Sequence, residues 1–197
     1  MSASYLDDSL YMPLTHGSLL SNSAVFTQMH HYHARTTTAA GHATLATGCY
    51  PSTHGIVDNN VYVRATGITE YSIIDTSIRF VGVENCNLQK VSAARLQRPT
   101  LGDIVKSKNT ESKSYSVALK DRSSILMGGK DANRAFWFDA ESIRMVSSDY
   151  YKESFPDWAL SFSGDSIERE SIANGWVYNT TYDVTKLDGD SASYECG

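Results

Sequence analysis

Apolar and polar positions fall along this chain in short blocks, some with the two-residue period of strands and some with the spacing of short helices. Leu6 to Leu20 carries a weak helical pattern interrupted by Pro13 and Gly17. Ala24 to His33 holds β-forming residues with partial alternation, which predicts a strand leading to Thr38. Ala40 to Thr47 predicts a short helix stopped by Gly48 and Pro51. Asp58-Asn59-Asn60 is a turn, and Val61-Tyr62-Val63 begins an extended segment. From Gly67 to Gln97 the pattern is irregular, predicting loops or an excursion over the surface.

Further on, Pro99 introduces a helix from about Thr100 to Lys106, with Leu101, Ile104 and Val105 on one face. Ser114 to Leu119 predicts a buried strand. Ala135-Phe136-Trp137-Phe138 and Met145 to Tyr151 predict a hairpin across Asp139-Ala140-Glu141-Ser142. Pro156 to Phe162 predicts a short helix carrying Trp158. Strands alternating with helices argue for an α/β core of the parallel type.

Composition narrows the classes. With 197 residues, 41% hydrophobic and 20% charged, the chain is globular and long enough for one sizeable core. A net charge of −5 argues against non-specific nucleic-acid binding. No apolar run approaches the roughly 20 residues of a membrane helix. The start, Met1-Ser2-Ala3-Ser4-Tyr5, has no signal-peptide pattern. Cys49, Cys86 and Cys196 are an odd set with no paired spacing, and Asn179-Thr180-Thr181 is a sequon.

The chemistry concentrates in two places. The first is Thr36-Thr37-Thr38-Ala39-Ala40-Gly41-His42-Ala43-Thr44-Leu45-Ala46-Thr47-Gly48, followed by Tyr50-Pro51-Ser52-Thr53-His54-Gly55-Ile56-Val57-Asp58-Asn59. It sets a hydroxyl, Thr38, where the chain turns into a predicted helix, facing unpaired N–H groups and the positive end of the dipole. Physics alone makes this a hydroxyl at an anion site, or an ordinary helix cap.

The run resembles the nucleophile region of the alkaline phosphatase superfamily, in the branch of the type I phosphodiesterase/nucleotide pyrophosphatases and the phosphate-irrepressible bacterial alkaline phosphatases. The resemblance implies a three-layer αβα sandwich with a mostly parallel central sheet, here incomplete. It puts the nucleophile on Thr38 and the phosphate-contacting amide on Asn59. The second place is Leu119-Lys120-Asp121-Arg122-Ser123-Ser124, where a Lys-x-Arg pair in the same enzymes contacts phosphoryl oxygens; it falls on Lys120 and Arg122. If the strand continues through them, residues two apart point to one face and both cations reach one dianion. Placement at the trailing end of a strand suits ligand binding in open α/β sheets. Extra cations favour a doubly charged monoester over a singly charged diester, so monoester hydrolysis leads.

By the same resemblance, two divalent metal ions, zinc foremost, serve the reaction, with Thr38 one of their ligands and a phospho-threonine intermediate formed on it. The family's first-strand Asp would fall before Met1 and its other Asp and His ligands past Gly197. The chain is therefore expected to be the front, nucleophile-bearing part of a single catalytic domain over 1–197, with a loop-rich excursion around 67–97, inactive alone. His16, His30, His31 and His33 form a poor metal cluster, since no carboxylate or Cys completes a shell. His42 and His54 are expected to bond backbone or neighbouring side chains. Asp7-Asp8 stands too close to Thr38 to be the missing first-strand ligand. The implied partner is a small-molecule phosphate ester, and family habit implies a periplasmic or secreted location. Competing expectations are a phosphodiesterase or nucleotide pyrophosphatase, and a non-catalytic fragment that keeps the fold.

Overall fold

A computed structural model describes residues 22–24, 26, 28–83, 89–142, 144–160 and 173. The helical reading of Leu6 to Leu20, Asp7-Asp8, His16, Cys86, the sequon and Cys196 lie outside the described residues. The chain divides into two compact units, one of Met1–His30 with Glu170–Gly197 and one of His31–Arg169. The second unit holds the elements discussed below.

Helix α1 spans Thr38–Thr47 and ends on Gly48, whose φ of 66° allows its N–H to cap the Thr44 carbonyl. Pro51 does not simply break the chain. It sits at the first position of a four-residue helix, α2 (Pro51–His54), where its missing N–H costs nothing. Strands β1 (Asn60–Val63) and β2 (Ile68–Tyr71) form an antiparallel hairpin with Asn60 opposite Tyr71. A second sheet has the order β3-β6-β5-β4, from Phe80–Val81, Arg144–Ser148, Arg134–Asp139 and Tyr115–Ala118 respectively. Between them run α3 (Leu101–Lys108) and α4 (Asp121–Gly128), and α5 (Asp157–Leu160) follows β6.

The predicted hairpin is there, as β5 and β6. The described sheet is consequently mixed: β4–β5 is parallel, whereas β5–β6 and β3–β6 are antiparallel. A short connection such as that after Asp139 can join strands only in antiparallel fashion. Residues on β5 alternate between two apolar environments. Ala135 and Trp137 join a cluster with Ala39 and Ala43 of α1 and Ile125 and Leu126 of α4. Phe136 instead meets the rings of Phe155 and Trp158, edge to face at 5.6 and 5.4 Å. Burial on both sides explains why β5 reads as a continuous apolar run.

Three expectations are corrected, and α3 departs from the usual burial of an apolar helix face. The described positions of Ala24 to His33 lie in no strand, and Tyr32 is 79% exposed; among the described residues no strand lies beside them to give a ladder. The described residues of 67–97 are not simply a surface excursion. They carry Ile73, Val91, Ala93 and Leu96, all fully buried, and irregular backbone there is tied by an Ile74–Val91 bridge. Among the described residues strand β4 lies at the sheet edge rather than being buried, with Tyr115 and Val117 exposed. In α3 the apolar face of Leu101, Ile104 and Val105 is exposed, and Asp103 is the residue it buries.

The last inversion has a polar cause. Thr100 caps α3, accepting from Asp103 N, while Asp103 Oδ2 accepts from Thr100 N at 2.8 Å. The same carboxylate takes the N–H groups of Lys130 (3.3 Å) and Asp131 (2.8 Å) beyond α4. Gly129, at φ 83°, passes so close to Thr100 and Asp103 that a Cβ there would collide with both. A charge satisfied this way turns the acidic side of α3 inward and the aliphatic side out.

Candidate active site

The start of α1 is gripped by the two residues that precede β1. Thr37, the N-cap, spends its hydroxyl on Asp58 Oδ1 at 2.8 Å, and Ala39 N donates to Asn59 Oδ1 at 2.9 Å. Asp58 also accepts from Asn59 N at 2.7 Å and pairs with Arg35 at 2.7 Å. The Thr37 hydroxyl, then the Asn59 N–H and the Arg35 guanidinium, hold the Asp58 carboxyl below its usual value. With its carbonyl spent on the helix, Asn59 has its NH₂ left to donate. Thr38 is the first residue of α1, half-buried, and no hydrogen bond among the described residues uses its hydroxyl. The structure thus brings Thr38 and Asn59 together.

Lys120 and Arg122 are placed differently from the strand reading. Strand β4 ends at Ala118; Lys120 is the N-cap of α4 and Arg122 lies in its first turn. They do not share a strand face, because Asp121 and Ser124 already belong to a helical turn, with Ser124 N bonded to Lys120 O at 3.1 Å. The site nevertheless sits at the trailing end of β4, beside its parallel neighbour. Arg122 lies over the Tyr71 ring, 5.2 Å from its centroid, and the Tyr71 hydroxyl donates to both Asp121 oxygens at 2.8 and 2.9 Å. Tyr71 faces Asn60 across the hairpin, and Ser72 N donates to Asn59 O at 3.0 Å. Arg122 is thus linked, through Tyr71, to the hairpin that begins just after Asn59. Lys120 is exposed, and no described contact ties its amine to the other three.

Tyr71 and Asp58 are neighbours of the candidate site residues to which the sequence reading gave no role. Tyr71 meets Asp121 from 50 positions away, and no local pattern signals such a pairing. Asp58 had a local signal, as the residue just before Asn59 in the turn.

His42 and His54 behave as expected. His42 Nδ1 bonds Thr38 O at 2.7 Å. His54 is fully buried; its Nδ1 accepts from Ile56 N at 3.2 Å and its Nε2 meets Thr44 Oγ1 at 3.1 Å. An imidazole that accepts at Nδ1 carries its proton on Nε2 and is neutral. Burial foremost, then the charge of His33, pushes its pKa below 6.5. Because the unfolded chain binds this proton more readily, the His54 contribution to stability is complete above pH 6.5 and is lost as pH falls below that value. Thermal melts between pH 8 and 5 should show this decline. The decline should shrink in His54→Gln, and an undiminished slope would assign it to other groups.

Among the described residues no group of three His, Cys, Asp or Glu could hold a metal ion. His31 and His33 approach edge to face, 5.4 Å between centroids, with His33 Nδ1 on Arg35 O. Thr38 alone does not make a metal shell, so the described donors do not fit two divalent ions. An apolar cavity of about 210 Å³ lined by Val117, Phe136, Met145, Trp158 and Ala159 contains none of the four site residues. No helix of the described residues is long and apolar enough to cross a membrane.

This geometry has a counterpart among known proteins. The family model for type I phosphodiesterase / nucleotide pyrophosphatase matches residues 1–188. The chain belongs to this family. It is 33% identical over 159 residues to alkaline phosphatase PafA of Elizabethkingia meningoseptica, covering 80% of the chain and 29% of that protein. It is likewise 33% identical over 164 residues to alkaline phosphatase PhoV of Synechococcus elongatus, covering 81% of the chain and 29% of PhoV. The crystal structure of PafA superposes with a TM-score of 0.69 at 34% identity, over 74% of this chain and 28% of PafA. A solved PafA variant carries four substitutions, Thr to Ser, Asn to Ala, Lys to Ala and Arg to Ala; its TM-score is 0.71 at 31% identity, over 76% of this chain and 29% of the variant. The α/β fold is that of the alkaline-phosphatase-like enzymes, and the chain spans less than a third of the length of these relatives.

Proposed function

We propose that this chain is the nucleophile-bearing front part of one catalytic domain that hydrolyses phosphate monoesters through a phospho-threonine on Thr38. The observation that carries the reading is the Ala39 N to Asn59 Oδ1 bond, which sets an amide donor beside an unengaged hydroxyl at a helix N-terminus. Thr38 Oγ attacks phosphorus in line, forming one P–O bond as the ester P–O bond breaks and the alcohol departs. Water then cleaves the phospho-threonine and restores the hydroxyl. The Asn59 NH₂, the Arg122 guanidinium and the Lys120 ammonium offset charge on the non-bridging oxygens. The solved PafA variant lends support, since it alters the same four residue types in the same chain order as Thr38, Asn59, Lys120 and Arg122.

An aliphatic alcohol is a weak nucleophile at neutral pH. Activation of Thr38 is the chemistry two divalent ions, zinc foremost, would supply; ligands outside the described residues would have to hold them. We also propose a small-molecule phosphate ester as partner, as the family match makes plausible, and a periplasmic or secreted setting. The family description itself supports a second reading, hydrolysis of diesters or nucleotide pyrophosphates.

Steady-state assays of the whole protein on an aryl phosphate and its methyl diester separate the two. Monoester turnover should be faster, and Arg122→Ala should cost about a hundredfold on the monoester and about tenfold on the diester. Faster diester turnover would give the second reading precedence. Absence of both activities in metal-loaded whole protein would leave a non-catalytic fold.

A further inference from the structure

Arg122 is an unusual cation in a half-buried helical turn. Its Nε–H is buried and has no hydrogen-bond partner among the described residues, and its backbone N–H is committed to Asp121 Oδ1 at 2.6 Å. The guanidinium rests over Tyr71, whose hydroxyl is fixed by both Asp121 oxygens. Tyr71 in turn is held in register opposite Asn60, next to Asn59, whose amide oxygen accepts from Ala39 N. Ring, carboxylate and helix turn therefore form a closed bracket around one flexible side chain.

We propose that Tyr71, anchored through its hydroxyl on Asp121, is a positioning residue that holds the Arg122 guanidinium beside Asn59 for the phosphoryl group; this rests on the function proposed above. Fixing an arginine costs rotamer freedom, so a pre-set guanidinium binds a tetrahedral anion at lower cost. An aromatic face suits the task because it orients the planar fork without consuming its N–H donors. Burial, and then the Asp121 charge, push the Tyr71 phenol above its usual range, so it stays an O–H donor to the carboxylate.

The test is a double-mutant cycle on the metal-loaded whole protein, reading kcat/KM for an aryl phosphate. Tyr71→Leu should lower it about tenfold and Arg122→Ala about a hundredfold, while the double variant should lie within about twofold of Arg122→Ala. Tyr71→Phe keeps the ring and loses the anchor; it should cost a few-fold, again only when Arg122 is present. A merely structural Tyr71 would give multiplying losses of about a thousandfold in the double variant. Multiplying losses, or full activity in Tyr71→Leu while Arg122→Ala remains impaired, would overturn the positioning role alone. If Tyr71→Leu does not fold, the cycle with Tyr71→Phe decides by the same criterion. Activity indifferent to Arg122→Ala would instead remove the proposed site, and this inference with it.

Discussion

Thr38→Ala, made in the whole metal-loaded protein, should lower kcat by about three orders of magnitude or more and leave no acid-stable phospho-protein after quenching. The size of the effect follows from chemistry that no neighbour can replace: without the alcohol, phosphorus has no side-chain nucleophile at the start of α1. Structure makes the test clean. Thr37, not Thr38, is the N-cap, and its hydroxyl is the one spent on Asp58. No described hydrogen bond is lost with the Thr38 hydroxyl, and alanine is the best helix former. The variant should therefore melt within a degree or two of the parent, while Thr38→Ser should keep part of the turnover. A phosphoryl adduct trapped on another residue would refute the assignment, as would near-normal turnover in Thr38→Ala.

The second large effect concerns stability. Asp103 is 3% exposed and accepts three backbone N–H groups from two separate segments, joining the start of α3 to the turn after α4. Its charge has no ion-pair partner among the described residues and rests on those donors and the α3 dipole. Asp103→Ala should strand several buried donors and cost about 3–5 kcal/mol, since each lost bond to a charged group is worth roughly 1.5–3 and the losses overlap. For a domain of this size that is a fall in Tm of roughly 6–20 °C by calorimetry. Asp103→Asn, which replaces one acceptor oxygen with a donor, should fall in between. A change under about 2 °C in the alanine variant would show that the bracket is not what holds α3. Because α4 is N-capped by Lys120 and ends at this turn, the effect should also loosen the start of the helix that carries Lys120 and Arg122.

Local signals carried far. Gly48 after a run of small residues ends α1 where predicted, and Pro99-Thr100 starts α3 with a capping box built into four consecutive residues. The β5–β6 hairpin was legible from two apolar blocks and a polar turn. Helix α4 was not, because Asp121-Arg122-Ser123-Ser124 has weak helical preference and its burial of Ile125 and Leu126 depends on the sheet beneath.

What the sequence determined by itself was local: a hydroxyl at a predicted helix start, a Lys-x-Arg pair, and helix ends fixed by caps, whereas the pairing of Thr38 with Asn59 was an expectation from the family resemblance. Such local features depend on neighbours within a few bonds, so the order of residues suffices to read them. Tertiary structure alone decided which faces are buried and which distant groups meet. The Asp103 network turned α3's aliphatic side outward, and the pairing of Asn60 with Tyr71 delivered an aromatic ring to Arg122 from another element. Such contacts arise from competition among all the surfaces of the folded chain, and no window of a dozen residues contains that competition.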